Sequence, residues 1–251
     1  MVDEHRGLVR VEKSAKRVRA FLGGEAIFDT IHPRLVWEVP SYPAYYIPEA
    51  DVRTELLAPS DTVERSPSRG NARYFHVKGG DRTAEDAAWQ YPDSPIEELR
   101  GLIRFQWDAM DHWFEEDEEV IVHPRSPHAR VDILASSRHV EVFLGDVKVA
   151  DSHQPRILFE TGLPPRYYVP LTDVRMDLLV PSEKTTRCPY KGTANYWSVR
   201  VGGDVVQDIV WTYRSPLPES QKIAGLVCFY NERVDLSVDG VSQERPRTKF
   251  S

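Results

Sequence analysis

The stretch VRAFLGGEAIFDTIHPRLVWEV, residues 18–39, decides the fold because it recurs as VEVFLGDVKVADSHQPRILFET at residues 140–161. The offset is 140 − 18 = 122 residues, and the same register continues without a gap to WQY at Trp89 and WTY at Trp211. This period is far longer than the roughly 20–50 residues of a solenoid repeat. The chain is therefore predicted to contain two copies of one small domain that arose by internal duplication.

Within each copy the side chains follow the period of two that is typical of β-strands with one solvent face. The alternation of Val18, Ala20 and Leu22 is one example, and GGD at Gly79 and GGD at Gly202 are predicted hairpin turns. PEADVR and PLTDVR are predicted to make at most a helical turn. We predict a mainly β protein with two tandem antiparallel β-domains. The first repeat is expected to span residues 14–114 and the second 137–243, with residues 115–136 as a linker.

The composition excludes several classes of protein. The 251 residues are 41% hydrophobic and 10% aromatic, which is enough for packed cores. No apolar run approaches the roughly 20 residues that cross a bilayer, and the charged N-terminus lacks the apolar core of a signal peptide, so we expect a cytoplasmic protein without membrane contact. The net charge of −7 argues against a nucleic-acid partner.

Only two cysteines are present, Cys188 and Cys228. They are too few for a disulfide framework, and their spacing is not that of a zinc knuckle. We therefore predict no metal site and no cofactor. Cys228 lies in the alternating stretch GLVCFY and is expected on a packed strand.

The stretch RCPYKGTANYW, residues 187–197, differs in an informative way from its copy RSPSRGNARYF, residues 65–75. The second copy places a lysine three residues after a cysteine, and an ammonium group stabilises a thiolate. Cys188 and Lys191 are therefore candidate catalytic residues. The alternative is that Cys188 is a small packing residue and Lys191 caps a turn, because no adjacent histidine supplies a base.

CPYKGTANYW, with WTY downstream and YYVP and LLVPS upstream, resembles the signature of a bacterial and fungal family called domain of unknown function 427. Both copies resemble it, and the second is the closer match. The first copy departs from the signature at Ser66 and Arg69. The resemblance implies a β-tent fold, similar in shape to methionine sulfoxide reductases and zinc-binding β-tent proteins, and no established activity.

Aromatic residues in the second copy suggest a binding surface. Trp211 and Tyr213 lie two residues apart and so share one face of a strand, with Tyr196 on the neighbouring predicted strand. Tyr167 and Tyr168 point to opposite faces, so only one of them, taken as Tyr168, can join this surface. Tyr168, Tyr196, Trp211 and Tyr213 are therefore candidate ligand-binding residues. The alternative is an ordinary aromatic pair in the core.

The linker carries a cluster of basic, titratable residues, namely His123, Arg125, His128 and Arg130, beside Asp132. Histidine moves protons near neutral pH and arginine binds anions, so these four are further candidate ligand-binding residues. The alternative is an ordered linker whose charges meet the acidic run that precedes it.

Two hypotheses for function remain open at this point. The first is a two-domain β-protein that binds a small molecule in the second repeat, an anion among the candidates, with or without cysteine-assisted or acid–base chemistry. The second is a non-catalytic protein–protein interaction or scaffold module, because duplicated β-domains often act by presenting surfaces. Whether the protein is an enzyme is left open.

Overall fold

The structure is a computed structural model that describes residues 9–248 and 250. The chain divides into two compact units that meet in sequence between Ser126 and Pro127. Among the described residues, no helix is long and apolar enough to span a membrane.

Eleven strands form two antiparallel sheets in the described part of the first unit. They are β1 (Arg10–Lys13), β2 (Val18–Leu22), β3 (Glu25–Thr30), β4 (Arg34–Val39), β5 (Tyr42–Pro48), β6 (Leu57–Ser66), β7 (Gly70–Gly79), β8 (Arg82–Gln90), β9 (Leu102–Phe105), β10 (His112–Glu115) and β11 (Glu118–Glu119). The larger sheet has the order β1-β4-β5-β9-β8-β7-β6, and the smaller has the order β11-β10-β2-β3.

The second unit repeats this arrangement with eleven strands among its described residues. They are β12 (Val131–Ala135), β13 (Val140–Leu144), β14 (Val147–Ser152), β15 (Arg156–Glu160), β16 (Arg166–Val169), β17 (Leu179–Cys188), β18 (Gly192–Val201), β19 (Asp204–Thr212), β20 (Val227–Phe229), β21 (Asp235–Val238) and β22 (Val241–Gln243). The sheet orders are β12-β15-β16-β20-β19-β18-β17 and β14-β13-β21-β22, so each strand has a counterpart in the first unit. The prediction of two antiparallel β-tent-like domains related by duplication is confirmed.

The copies also share a first strand that lies outside the predicted repeat bounds. Strand β1 pairs with β4 through Arg10 and Trp37, and β12 pairs with β15 through Asp132 and Phe159, which are the same positions shifted by 122 residues. Strand β12 thus lies inside the segment predicted as a linker. It pairs with the sheet because Ile133 is buried against it. The two first strands share few residue types, so sequence comparison alone did not reveal them.

Short 3₁₀ turns connect several of the strands. They span Glu49–Asp51, Thr54–Leu56, Glu97–Leu99, Trp107–Ala109, Leu171–Asp173, Met176–Leu178 and Pro218–Ile223. The turns predicted in PEADVR and PLTDVR are therefore confirmed. The hairpins predicted at Gly79 and Gly202 also form, between β7 and β8 and between β18 and β19.

The larger sheet of each unit is buried on both faces. One face packs against the smaller sheet, around Val18, Phe28 and Phe105 in the first unit and around Val149 and Phe229 in the second. The other face carries a separate cluster that is rich in tyrosine and tryptophan. This division follows from the alternation of side chains along each strand.

The turn between β2 and β3 differs from its copy in how closely other backbone approaches it. Gly23 and Gly145 occupy equivalent positions and have nearly the same backbone, with φ of +57° and +58°. A Cβ atom on Gly23 would lie 2.0 Å from the carbonyl oxygen of Gly79, whereas one on Gly145 would meet nothing within 4 Å. Only the first unit therefore requires a glycine for close approach.

Candidate functional site

The outer face of the larger sheet in the second unit gathers most of the predicted aromatic residues. We call it the second-repeat cluster, and its buried members are Ile133, Leu158, Tyr168, Ala194, Tyr196, Trp211, Tyr213, Ile223 and Cys228. Tyr167 packs on the opposite face, as the sequence predicted. Four candidate ligand-binding residues thus lie in one cluster, because each points to the same side of its strand.

Hydrogen bonds fix the orientation of the aromatic rings. The indole nitrogen Nε1 of Trp211 donates to Oη of Tyr168 at 3.0 Å. Oη of Tyr196 lies 2.9 Å from Oγ1 of Thr186 and 3.2 Å from Oη of Tyr230. The rings of Trp211 and Tyr230 are tilted against each other with centroids 4.5 Å apart. These contacts make a rigid aromatic wall with polar atoms along it.

Lys191 is held at the edge of this cluster by a tight turn and an ion pair. Its backbone N–H donates to the carbonyl of Cys188 at 3.3 Å, and Gly192 follows with a φ of +95°. The side chain is only about a tenth exposed, and its Nζ lies 2.5 Å from Oε2 of Glu160. The carboxylate partly neutralises the ammonium, which reduces the charge that Lys191 can offer to a Cys188 thiolate.

Tyr213 is buried yet has an unused hydroxyl. The residue is 5% exposed, and among the described residues its hydroxyl has no hydrogen-bond partner. Burial raises the pKa of Tyr213, and the nearby Cys188, Tyr196 and Glu160 raise it further. The phenol therefore stays protonated near neutral pH and can donate a hydrogen bond. Cys188 itself lies half-buried at the end of β17.

A buried ion pair lies beside the aromatic rings. Arg166 donates two hydrogen bonds of 2.7 Å to the carboxylate of Glu232, whose side chain is fully buried. Thr248 donates to the same carboxylate at 2.6 Å. Burial tends to raise the pKa of Glu232, but the hydrogen bonds from Arg166 and Thr248 outweigh it and lower the pKa. The guanidinium lies 5.7 Å from the ring centroid of Trp211.

Cys228 is packed rather than accessible. It is fully buried in the second-repeat cluster, and burial raises the pKa of its thiol to about 12 although Arg166 acts in the opposite direction. The prediction of a packed strand at Cys228 is confirmed.

The first unit fills the equivalent positions differently and pairs its carboxylate and tyrosine hydroxyls internally, although Nε of Arg104 is buried without a hydrogen-bond partner among the described residues. Glu38, the counterpart of Glu160, accepts hydrogen bonds from Tyr46 and Arg104. Nε of Arg69 lies 3.7 Å from the Glu38 carboxylate and donates to Oη of Tyr91 at 3.1 Å. The carboxylate and both tyrosine hydroxyls are thus occupied by neighbouring side chains.

Two residue differences remove hydrogen bonds and ion pairs from the equivalent network in the second unit. Lys191 stands where Arg69 would be, and it does not reach Tyr213, the counterpart of Tyr91. Cys228 stands where Arg104 would be, so Glu160 loses one cation. Among the described residues, Tyr168 donates no hydrogen bond to Glu160, unlike its counterpart in the first unit. The second-repeat cluster therefore retains hydrogen-bonding capacity that the first copy has used.

The contacts of two of the four predicted linker residues, His123 and Arg130, can be described. The ring of His123 stacks on Tyr42 with centroids 4.4 Å apart, and its Nδ1 lies 2.8 Å from the carbonyl oxygen of Pro124. Arg130 pairs with Asp132 at 2.9 Å. Arg125 and His128 also have interactions of their own. Convergence of these four residues on one site stays a prediction.

Comparison with known proteins identifies the family. The sequence profile of a family described as a domain of unknown function (DUF427) matches residues 10–116 and 132–240. The chain belongs to this family. No curated protein matches the chain. Each DUF427 match begins within the first strand of a unit, β1 or β12, and covers that unit's two sheets except for the edge strand β11 or β22. Cys188 and Lys191 flank the turn between β17 and β18 of the second DUF427 repeat.

Sequence reasoning missed several polar members of the site, namely Glu160, Arg166, Tyr230 and Glu232. Glu160 had an available signal, since the same residue type occurs at Glu38 in the aligned copy. Arg166 and Glu232 had none, because they lie 66 residues apart and pair only through the fold.

Proposed function

We propose that the second DUF427 repeat binds a small molecule at the second-repeat cluster and that the first repeat is mainly structural. The observation that supports this most directly is the unused hydroxyl of Tyr213. A tyrosine hydroxyl that donates to no described residue is available to donate to a ligand, so Tyr213 is a candidate ligand contact. The aligned Tyr91 is occupied by Arg69 at 3.1 Å, which argues against the same role in the first repeat.

The chemistry of the cluster indicates what such a ligand would present. Tyr213 is a hydrogen-bond donor, so the ligand needs an acceptor such as a carbonyl or ether oxygen. The rings of Tyr196, Trp211 and Tyr230 favour a flat, apolar or aromatic body. An anionic ligand would have to compete with Glu160 for Lys191, since that ion pair is already formed. We therefore favour an uncharged aromatic or heterocyclic molecule.

Cysteine-assisted chemistry is a further part of this proposal. Cys188 is half-buried and lies close enough to Tyr213 to raise its pKa electrostatically. In such a step the thiol of Cys188 would add to a polarised carbonyl group of the ligand. Sulfur bonds to the carbonyl carbon, the carbonyl π bond opens, and the thiol proton passes to the oxygen, to which the neutral phenol donates a hydrogen bond. Tyr213 would then act as the donor and Cys188 as the nucleophile, with Lys191 holding the turn that positions the cysteine.

Tyr213→Phe and Tyr91→Phe provide a matched test of binding. Each variant removes one hydroxyl from equivalent positions in the two repeats. Small aromatic and heterocyclic fragments are screened by thermal shift against the wild-type protein, because a ligand that binds only the folded state raises the melting temperature. We expect fragments that stabilise wild type and Tyr91→Phe to lose at least about tenfold in affinity for Tyr213→Phe, equal to about 1.4 kcal/mol.

Two results would contradict the proposal. Equal binding to both variants would place the ligand elsewhere, and fragment hits that respond only to Tyr91→Phe would assign the site to the first repeat. A third result would favour the interaction-module hypothesis instead. In that case no fragment binds, while a protein partner binds the wild type and loses affinity for Tyr213→Phe.

A further inference from the structure

Two histidines and an aspartate meet on one face of the smaller sheet in the second unit, away from the second-repeat cluster. His139 immediately precedes β13, Asp151 lies in β14, and His153 immediately follows β14. The register pairs Val140 with Ser152, which places His139 directly across from His153. Residues opposite each other share a face of the sheet, and Asp151 lies on that face two residues away.

The three side chains are already close in the absence of any ion. Nε2 of His139 lies 2.8 Å from Oδ1 of Asp151. The rings of His139 and His153 stack with centroids 4.0 Å apart and planes 13° apart. One potential ligand atom from each of the three residues lies within 4.8 Å of the others. Lys148 binds the other carboxylate oxygen, Oδ2, at 2.7 Å, so Oδ1 remains the atom that faces the histidines.

The first repeat has different side chains at two of the three equivalent positions. Arg17, Asp29 and Ile31 are the counterparts of His139, Asp151 and His153. Nε of Arg17 donates to Oδ1 of Asp29 at 2.7 Å, which closes an ion pair. Arginine and isoleucine cannot ligate a metal, whereas imidazole and carboxylate are common zinc ligands. The shared aspartate therefore gains two potential co-ligands only in the second repeat.

We propose that His139, Asp151 and His153 form a binding site for a divalent transition-metal ion such as Zn²⁺, completed by water. Two imidazoles and one carboxylate suit zinc, copper or nickel better than magnesium or calcium, which prefer oxygen ligands. Zinc bonds of about 2.0–2.1 Å hold tetrahedral ligand atoms roughly 3.3 Å apart. Because the ligand atoms lie within 4.8 Å of one another, the histidine rings need to approach by up to about 1.5 Å to close around the ion, which a rotation about their side-chain bonds provides.

Lys148 would serve as an outer partner of this site. It holds the second oxygen of Asp151 and also pairs with Glu141 at 2.6 Å. Such outer hydrogen bonds orient a ligating carboxylate. Asp151 and Lys148 also line an open cavity of about 380 Å³, with Thr172, Asp173 and Arg175 among its other walls. The ion's water positions would be open to solvent beside this cavity.

The test uses the residues of the first repeat as matched replacements. A double variant with His139→Arg and His153→Ile copies the ion pair of Arg17, Asp29 and Ile31 and should keep the fold. Isothermal titration of the full chain with Zn²⁺ is expected to show one site, and the double variant is expected to bind Zn²⁺ at least about tenfold more weakly. Altering only the outer partners of a metal ligand typically lowers affinity by about tenfold or more, so removing two ligands should cost at least as much. Electron paramagnetic resonance with Cu²⁺ should detect two nitrogen ligands in the wild type.

A reciprocal variant keeps the proposal falsifiable if the first one unfolds. Arg17→His together with Ile31→His is expected to create a second site and to raise the stoichiometry from one ion to two. Thermal melting without metal checks that each variant is folded. Equal Zn²⁺ affinity in wild type and in the folded His139→Arg, His153→Ile variant would overturn the proposal, as would a Cu²⁺ spectrum without nitrogen coupling.

Discussion

The buried ion pair between Arg166 and Glu232 gives a sharp prediction about stability. Replacing Glu232 with Gln keeps the size of the side chain but removes its charge, which leaves a guanidinium that is 7% exposed without a counter-charge. Breaking a buried pair from one side costs about 3–5 kcal/mol. For a unit of 125 residues, we expect the melting temperature of the second unit to fall by roughly 10–20 °C.

Calorimetry is the appropriate assay because proteins with more than one domain can unfold in separate transitions. The transition of the second unit should move while that of the first stays in place. A double variant with Arg166→Met and Glu232→Gln is the control, since removing both charges should recover much of the loss. The reasoning is refuted if Glu232→Gln lies within about 1 kcal/mol of wild type, or if the double variant is no more stable than the single one.

The same pair predicts a pH dependence. The pKa of Glu232 is lowered in the folded protein, relative to its ordinary value of 4.5. The stabilisation is therefore complete above about pH 4.5 and is lost as the pH falls through the lower folded-state pKa. Glu232→Gln cannot titrate at this position, so its acid melting curve should be flatter than that of the wild type over this range.

Three further predictions concern single positions. Cys188 should alkylate faster than Cys228 in native protein, measured by mass spectrometry, because Cys228 is fully buried and its pKa is raised to about 12; equal rates would remove the idea of a reactive cysteine. Cys188→Ser should abolish turnover of any substrate found by screening with little loss of stability, whereas Ser66→Ala should leave it intact, and the opposite pattern would assign the activity to the first repeat. Gly23→Ala should destabilise by at least about 2 kcal/mol more than Gly145→Ala in urea unfolding, because both share the same φ and only Gly23 would meet backbone at 2.0 Å; similar losses would show that the turn simply shifts.

The fold was largely predictable because its determinants are local and occur twice. The period of two placed Trp211 and Tyr213 on one face without knowledge of the sheet. The polar chemistry of the site was less accessible to sequence reasoning. The hydroxyl of Tyr213 has a hydrogen-bond partner only if the side chain of residue 191 can reach it, as the guanidinium of Arg69 reaches Tyr91. The distance from the side chain of residue 191 to the Tyr213 hydroxyl is set by the pairing of strands β17, β18 and β19, which the sequence alone does not give.

The arginine that packs on the cluster's tryptophan comes from non-equivalent strands in the two repeats, β9 in the first and β16 in the second. If sequence is exchanged between the repeats, the effect of replacing one of these strands therefore depends on the residue in the other. Arg104 on β9 lies 4.6 Å from the ring centroid of Trp89, while Arg166 on β16 lies 5.7 Å from that of Trp211. A chimera that received only the β9 segment in the second repeat would place two guanidinium groups on one indole. A chimera that instead replaced only the β16 segment would leave Glu232 without its cation. We therefore expect a chimera between the repeats to keep its stability only when the β5/β16 segment and the β9/β20 segment are exchanged together.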